Sequence, residues 1–195
     1  VFGKYGNAPY EINSEVGALN KYGYSKLLGE KEIISNSNKA IIIRTASLYG
    51  QYKKNFFKTF LDILISKKTI DVVADQMISI TWSYDLSLAI IELLSMIDKS
   101  SAWMHDSSLD IIHMVNEGHT TWFEVANLIS STLNKINQVD NLFIVNPILY
   151  KDWGSKTERS LDSRLNFYGE IPNLGKLKMP NWKTSLIVAL KGYLK

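Results

Sequence analysis

The sequence lacks cysteine, a long apolar run and a large excess of charge of either sign, and each absence excludes a class of protein. With 0 cysteines in 195 residues it can form neither a disulfide framework nor a thiolate metal site, which favours the cytoplasm. No apolar stretch approaches the roughly 20 residues that a membrane-spanning helix needs, and the first residues do not resemble a signal peptide. We therefore expect a cytoplasmic protein with no membrane partner.

The charged residues are nearly balanced and scattered along the chain. The 22 lysines and arginines exceed the 19 acidic residues by a net charge of only +3, which does not favour nucleic-acid binding and is compatible with an anionic small molecule. The 3 histidines, His105, His113 and His119, have no metal-ligand spacing with nearby carboxylates. The sequence therefore predicts no metal site, a partly buried His113 and a His119 at the entry of a helix.

Apolar periodicity indicates helices that alternate with short strands. The predicted helices cover 20–34, 55–67, 85–97, 121–133 and 182–194, and the predicted strands cover 40–43, 70–74, 111–116 and 141–148. Thr121 stands three residues before Glu124, the spacing of a capping box. The alternation predicts an α/β fold with a parallel sheet, in which ligands bind beyond the carboxyl ends of the strands, here after Ile43, Ala74 and Val115.

Tyr22 and Lys26 are one helical turn apart in the first predicted helix and share a face. An ammonium group beside a phenol favours the phenolate, so the pair could supply a proton donor for a carbonyl oxygen. The alternative interpretation is a lysine stem that packs on an exposed aromatic ring. Spacing alone leaves both interpretations open.

Beyond this pair, several segments match one known family in the right order. Residues 20–30 (NKYGYSKLLGE) resemble the Tyr-x-x-x-Lys helix of extended short-chain dehydrogenases, most closely that of the dTDP-4-dehydrorhamnose reductase family. The other matching segments are 1–11, 44–56, 75–86, 116–126 and 159–165. The resemblance therefore extends over nearly the whole chain.

The resemblance implies the carboxyl-terminal part of a Rossmann-type doubly wound parallel sheet plus a small α/β substrate-binding domain. Residues 1–75 would hold the residual Rossmann portion with the Tyr-x-x-x-Lys helix. Residues 76–195 would be mainly the substrate-binding domain, with some segments returning to the Rossmann sheet.

The resemblance also implies a function. The reaction would be NAD(P)H-dependent reduction of a nucleotide-linked 4-keto-6-deoxysugar in polysaccharide biosynthesis, with NADPH or NADH as cofactor. Tyr22 would protonate the sugar C4 oxygen. Lys26 would favour the phenolate form of Tyr22 and hydrogen-bond the nicotinamide ribose. Cofactor binding is assigned to Tyr22, Lys26, Arg44 and Thr45.

Substrate binding is assigned to Asn55, Phe56, Trp153 and Arg159. A guanidinium suits a diphosphate, and Trp153 is the tryptophan best placed to stack on a ligand, whereas Trp122 and Trp182 are expected to anchor the core. The partner is a nucleotide-linked deoxysugar, and a homodimer is the oligomer that the family often forms.

The family's glycine-rich phosphate loop and its catalytic Ser or Thr have no counterpart here, and the chain opens with Val1-Phe2, which indicates the end of a strand. We therefore expect the amino-terminal Rossmann half to be absent and the chain alone to be inactive. Two alternatives remain: a non-catalytic sugar-nucleotide-binding or regulatory protein on the same fold, and a related epimerase or dehydratase.

Overall fold

The computed structural model describes residues 1–3, 5–100, 109–138, 142–155, 157–167, 169–171 and 174–194. Its helices are α1 (Lys21–Asn36), α2 (Phe56–Lys67), α3 (Ser83–Lys99), α4 (Trp122–Ile136) and α5 (Trp182–Tyr193), with a 3-10 turn at Tyr150–Asp152. Its strands are β1 (Ala40–Arg44), β2 (Leu48–Tyr49), β3 (Thr69–Val73), β4 (Met77–Ile78), β5 (Thr81–Trp82), β6 (Leu109–His113), β7 (Thr120–Thr121), β8 (Ile144–Ile148), β9 (Glu170–Ile171) and β10 (Gly175–Lys176).

The longer strands pair in parallel, as the alternation of helices and strands predicts. β1 pairs with β6 from Ala40↔Leu109 to Arg44↔His113, and β3 pairs with β8 from Thr69↔Ile144 to Val73↔Ile148. β2 and β5 form a short parallel pair, whereas β4–β7 and β9–β10 are antiparallel. The prediction of an α/β fold is confirmed, and the division at residue 75 stays a prediction.

The two largest apolar clusters among the described residues pack the helices against the strands. The larger lies between α2, α4, α5 and β3, and its fully enclosed members include Phe57, Leu61, Leu64, Ile129 and Leu186. The smaller packs α3 against the β1–β6 pair through Ala89, Leu93 and Ile112. Trp182 is a buried core residue, as expected, and no helix in the described ranges is both long and apolar enough to cross a membrane.

The capping box predicted at Thr121 is present at the start of α4. The Thr121 hydroxyl accepts from the Glu124 backbone N–H at 3.1 Å, and the Glu124 carboxylate accepts from the Thr121 backbone N–H at 2.9 Å. These two bonds satisfy N–H groups that a helix start otherwise leaves free. They fix the entry of α4, and so of Trp122, beside the site described next.

Candidate functional site

Helix α1 carries Tyr22 and Lys26 into a cleft. The Asn20 side chain opens the helix by accepting from the Gly23 backbone N–H at 2.9 Å, which places Tyr22 in the first turn. The Lys26 ammonium lies 5.4 Å from the centroid of the Tyr22 ring. This distance is a contact between the lysine and the aromatic ring, as the packing interpretation predicts. Tyr22 is 73% exposed and Lys26 is exposed, so both side chains are also open to a ligand, as the catalytic interpretation requires.

The cleft consists of three cavities that share walls. The first cavity, about 500 Å³, is lined by Tyr22, Lys26, Glu30, Arg44 and Thr45 among others. The middle cavity, about 240 Å³, is lined by Tyr22, Gln76 and Arg159 among others. Tyr22 thus belongs to the wall between the first and middle cavities.

The third, aromatic cavity has a volume of about 220 Å³. It is lined by Phe56, Phe60, Trp122, Trp153 and Arg159, together with residues of β3. Arg159 borders both this cavity and the middle one. The cleft therefore runs from Lys26 past Tyr22 to a pocket rich in aromatic rings, which suits a planar ring system.

The structure brings three of the four predicted substrate residues together. Phe56, Trp153 and Arg159 all line the aromatic cavity, and the Arg159 guanidinium carbon lies 5.5 Å from the Trp153 ring centroid. Trp153 is 47% exposed, so its ring is available to a ligand. Trp122 was expected in the core. It packs against the larger cluster and also forms part of the cavity wall.

Asn55 has a different environment. Its side-chain oxygen accepts from the Lys58 backbone N–H at 3.3 Å, and its amide donates to the carbonyls of Gly50 and Lys53 at 2.8 and 3.2 Å. It caps α2 and lines none of the three cavities of the cleft. Its assignment to substrate binding stays a prediction.

The predicted cofactor residues Arg44 and Thr45 line the first cavity, but their side chains are engaged within the protein. Arg44 forms a two-bond ion pair with Glu30, at 2.9 and 2.8 Å, and Thr45 donates to the Thr81 hydroxyl at 3.1 Å. Direct contact between either residue and a cofactor stays a prediction.

Sequence reasoning missed the residues that anchor the loop carrying Trp153 and Arg159. The Asp75 carboxylate accepts from the Tyr150 backbone N–H at 2.7 Å, the Tyr150 hydroxyl accepts from the Arg159 backbone N–H at 3.1 Å, and Gln76 donates to the Ser160 carbonyl at 3.1 Å. Asp75 and Gln76 follow β3 after one intervening residue, Ala74. The sequence indicated their position at the end of a strand but not their partners.

The middle cavity also contains Ser47, which sequence reasoning did not single out. Its φ of 43° lies in the left-handed region, which non-glycine residues seldom occupy. Ser47 lines both the first and the middle cavity. No sequence pattern signals this backbone conformation.

His113 and His119 line none of the three cavities of the cleft. His113 is buried, and its Nδ1 lies 3.0 Å from the Asn166 carbonyl oxygen. Burial lowers the pKa of the His113 imidazole below its ordinary value of 6.5. His105 lies outside the described residues, and within them no three potential ligands form a metal-binding group.

A family model described as the RmlD substrate binding domain matches residues 1–194. The chain belongs to this family. The match covers α1 and every wall of the cleft, so the Tyr22–Lys26 pair and the aromatic cavity are parts of an RmlD-type domain.

Named proteins similar to this RmlD-type domain agree with the family. It is 30% identical to the spore coat polysaccharide biosynthesis protein SpsK of Bacillus subtilis over 95% of this chain and 59% of SpsK. It is 27% identical to a dTDP-4-dehydrorhamnose reductase of Aggregatibacter actinomycetemcomitans over 95% of this chain and 62% of that protein. The chain thus spans about three fifths of the length of these relatives.

A solved structure gives the same picture in three dimensions. The dTDP-4-dehydrorhamnose reductase of Bacillus anthracis, crystallised in complex with NADP, superposes with a TM-score of 0.74 and 31% identity, covering 94% of this chain and 59% of that one.

Proposed function

We propose that the protein carrying this chain reduces the C4 ketone of a nucleotide-linked 4-keto-6-deoxysugar, with NADPH or NADH as reductant. The observation that carries the proposal is the place of Tyr22, on the wall between the first and the middle cavity. A proton donor at that wall can reach a carbonyl in one cavity while a reductant occupies the other. The names of the relatives, reductases of dTDP-linked sugars, support this substrate class.

The residues of the first cavity suit the nicotinamide end of the cofactor. Its volume of about 500 Å³ leaves room for the nicotinamide ring. The exposed Lys26 ammonium can donate hydrogen bonds to the ribose hydroxyls. When bound, the reduced nicotinamide supplies a hydride to C4. The complex of the Bacillus anthracis relative with NADP supports the choice of cofactor.

The chain's own groups would complete the reaction. Tyr22 would give its hydroxyl proton to the C4 oxygen as that oxygen becomes an alcohol, and Lys26 would stabilise the phenolate left behind until it regains a proton from solvent. Arg159 would pair with the diphosphate, and the aromatic cavity would hold the base. Overall, the ketone, the reduced cofactor and one proton are converted to the alcohol and the oxidised cofactor.

The test compares Tyr22→Phe with Tyr24→Phe in the natural polypeptide that contains this chain. Both side chains are exposed tyrosines of α1, 73% and 56% exposed, but only Tyr22 lines the cleft cavities. We expect Tyr22→Phe to lower kcat for NADPH oxidation with a dTDP-4-keto-6-deoxysugar by about 10² to 10⁴-fold, and Tyr24→Phe to leave it unchanged.

If instead the natural polypeptide binds the sugar nucleotide but turns none over, the reductase proposal fails and the non-catalytic binding role takes its place. Equal loss in both tyrosine variants would mean that the two substitutions disturb α1 rather than the chemistry.

A further inference from the structure

Within this chain, helix α1 contacts the other described elements through a narrow apolar surface. Leu27 is its only buried residue among 16, and Tyr24, Leu28, Ile33 and Ile34 are each more than 40% exposed. A surface helix is ordinarily oriented by a wide apolar stripe. Among the residues of this chain, the single buried leucine leaves the rotation of the helix about its axis to be fixed by other contacts.

The second attachment is polar and well defined in direction. The Glu30 carboxylate accepts from Arg44 Nε at 2.9 Å and from Arg44 Nη2 at 2.8 Å, and the two side chains are only 11% and 8% exposed. The Phe2 ring covers the guanidinium at 4.8 Å, and Arg44 Nη1 donates to the Ile12 carbonyl at 3.3 Å. A planar fork held on two sides accepts its carboxylate in one orientation.

Glu30 is in line with the two residues of the proposed reaction. Tyr22, Lys26 and Glu30 follow one another at single helical turns, so their side chains share one face of α1. All three line the first cavity. Arg44 ends β1, where it pairs with His113 of β6, so the ion pair ties this face of the helix to the carboxyl end of the parallel strands.

We propose that the buried Glu30–Arg44 pair is a positioning device, which sets the rotation of α1 and thereby aims Tyr22 and Lys26 into the cleft. The inference rests on the proposed reductase function for its kinetic readout. A buried ion pair adds little net stability compared with apolar residues of the same size. Its two-bond geometry nevertheless fixes an orientation that an apolar contact would leave free.

The experiment uses the natural polypeptide and three variants: Glu30→Gln, the double variant Glu30→Leu/Arg44→Met, and Glu32→Gln as control. Glu32 lies on the same helix and is exposed, and its carboxylate accepts a hydrogen bond from the Asn36 side chain at 3.3 Å. We expect Glu30→Gln to lower kcat by about 10 to 100-fold, because a displacement of an ångström at the reacting groups has effects of this size. The KM for the sugar nucleotide should change by less than about threefold, because the aromatic cavity is built from other elements.

The double variant separates positioning from packing. Two apolar side chains restore the burial but not the fork, so Tm should return to the wild-type value while kcat stays low. The KM for NADPH should stay at the wild-type value, because a raised KM would mean that Arg44 contacts the cofactor directly. Glu32→Gln should behave as wild type. Recovery of both Tm and kcat in the double variant would overturn the proposal, because the pair would then contribute packing alone.

Hydrogen exchange gives a readout that does not depend on activity. In Glu30→Gln the amides of α1 should exchange faster, while those of α4 and α5 keep their wild-type rates. Unchanged protection of α1 would overturn the positioning role even in a protein without turnover. If the wild type has no turnover but α1 exchanges faster in Glu30→Gln than in wild type, the reductase function is refuted. The positioning of α1 by the ion pair is then still supported.

Discussion

Asn116 lies with no exposed surface at a point where three separate segments meet. Its side-chain oxygen accepts from the Trp82 backbone N–H at 2.7 Å, and its amide lies 2.7 Å from an Asp85 carboxylate oxygen and 2.9 Å from the Pro180 carbonyl. Ser185 donates to the same carboxylate. Each buried group has its hydrogen-bond partners inside the network. Removing one side chain would therefore leave the others with unpaired buried polar groups.

Asn116→Ala should therefore destabilise the protein strongly. The alanine would leave the Asp85 carboxylate and the Trp82 N–H short of a partner, at a cost of about 3 kcal/mol in the free energy of unfolding. Urea denaturation measures the change. The control is Asn146→Ala, which removes an exposed bond to Asp71 of 2.9 Å and should cost less than about 0.5 kcal/mol; equal losses would contradict the network.

His113 gives a prediction in pH. Burial lowers the pKa of folded His113 below 6.5, so the unfolded state binds this proton more readily. The contribution of His113 to the free energy of unfolding should then be complete above pH 6.5 and decrease as the pH falls below 6.5. Burial also lowers the pKa of His119, which adds a change of the same sign.

Urea unfolding at pH 7 and pH 5 tests this expectation. His113→Gln should lose less stability between the two pH values than wild type does, because one of the two contributions has been removed. The same pH dependence in both proteins would show that His113 does not carry the effect.

The contacts of a residue were predictable where they follow from a short-range pattern in the sequence. They were not predictable where the partner is distant in the chain. Tyr22 and Lys26 are one turn apart, so their common face follows from helix geometry. Glu30 and Arg44 belong to different elements, and nothing in the sequence pairs them. The family resemblance assigned Arg44 to the cofactor. The Asp85 carboxylate likewise accepts from Asn116 and Ser185, which belong to distant segments of the chain.

At the scale of elements, the long helices and strands were predictable because each repeats an apolar period over several turns or pleats. α1 was predicted over 20–34 and spans Lys21–Asn36, and β3 was predicted over 70–74 and spans Thr69–Val73. The two-residue strands β2, β4, β5, β7, β9 and β10 were missed. So short a strand has no period, and its pairing depends on a partner elsewhere in the chain.

The start of α2 and the loop after the 3-10 turn yield a paired prediction. Asn55→Ala should lower the free energy of unfolding by about 1 kcal/mol, as loss of a helix N-cap does, and leave the KM for the sugar nucleotide unchanged. Arg159→Ala should do the reverse, with little effect on stability and a KM raised by about 10-fold or more through loss of the charge-assisted bond.

Steady-state kinetics and urea denaturation on both variants provide the measurements. A raised KM in Asn55→Ala would restore Asn55 to the substrate site. An unchanged KM in Arg159→Ala would remove the guanidinium from it.

At the scale of the whole molecule, the cleft exists only because remote segments converge. The middle cavity alone draws on α1, the residues after β3, the start of α4 and the loop at Arg159. The α/β class followed from the alternation of elements, and the family from motifs spread over the chain. The order and sharing of the cavities could not be foreseen, because they depend on loop conformations such as the left-handed Ser47.

In the proposed reaction, Tyr22 and Lys26 serve a net reduction of a sugar ketone by an external reductant. The most direct measurement supplies NADPH deuterated at the transferable position of the nicotinamide to the natural polypeptide with a dTDP-4-keto-6-deoxysugar. Mass spectrometry then locates the deuterium. We predict an alcohol product that carries deuterium at C4 in wild type and only a trace of it in Tyr22→Phe. An epimerase or dehydratase that recycles its own cofactor would give a sugar product without deuterium, and that result would rule out the proposed reduction.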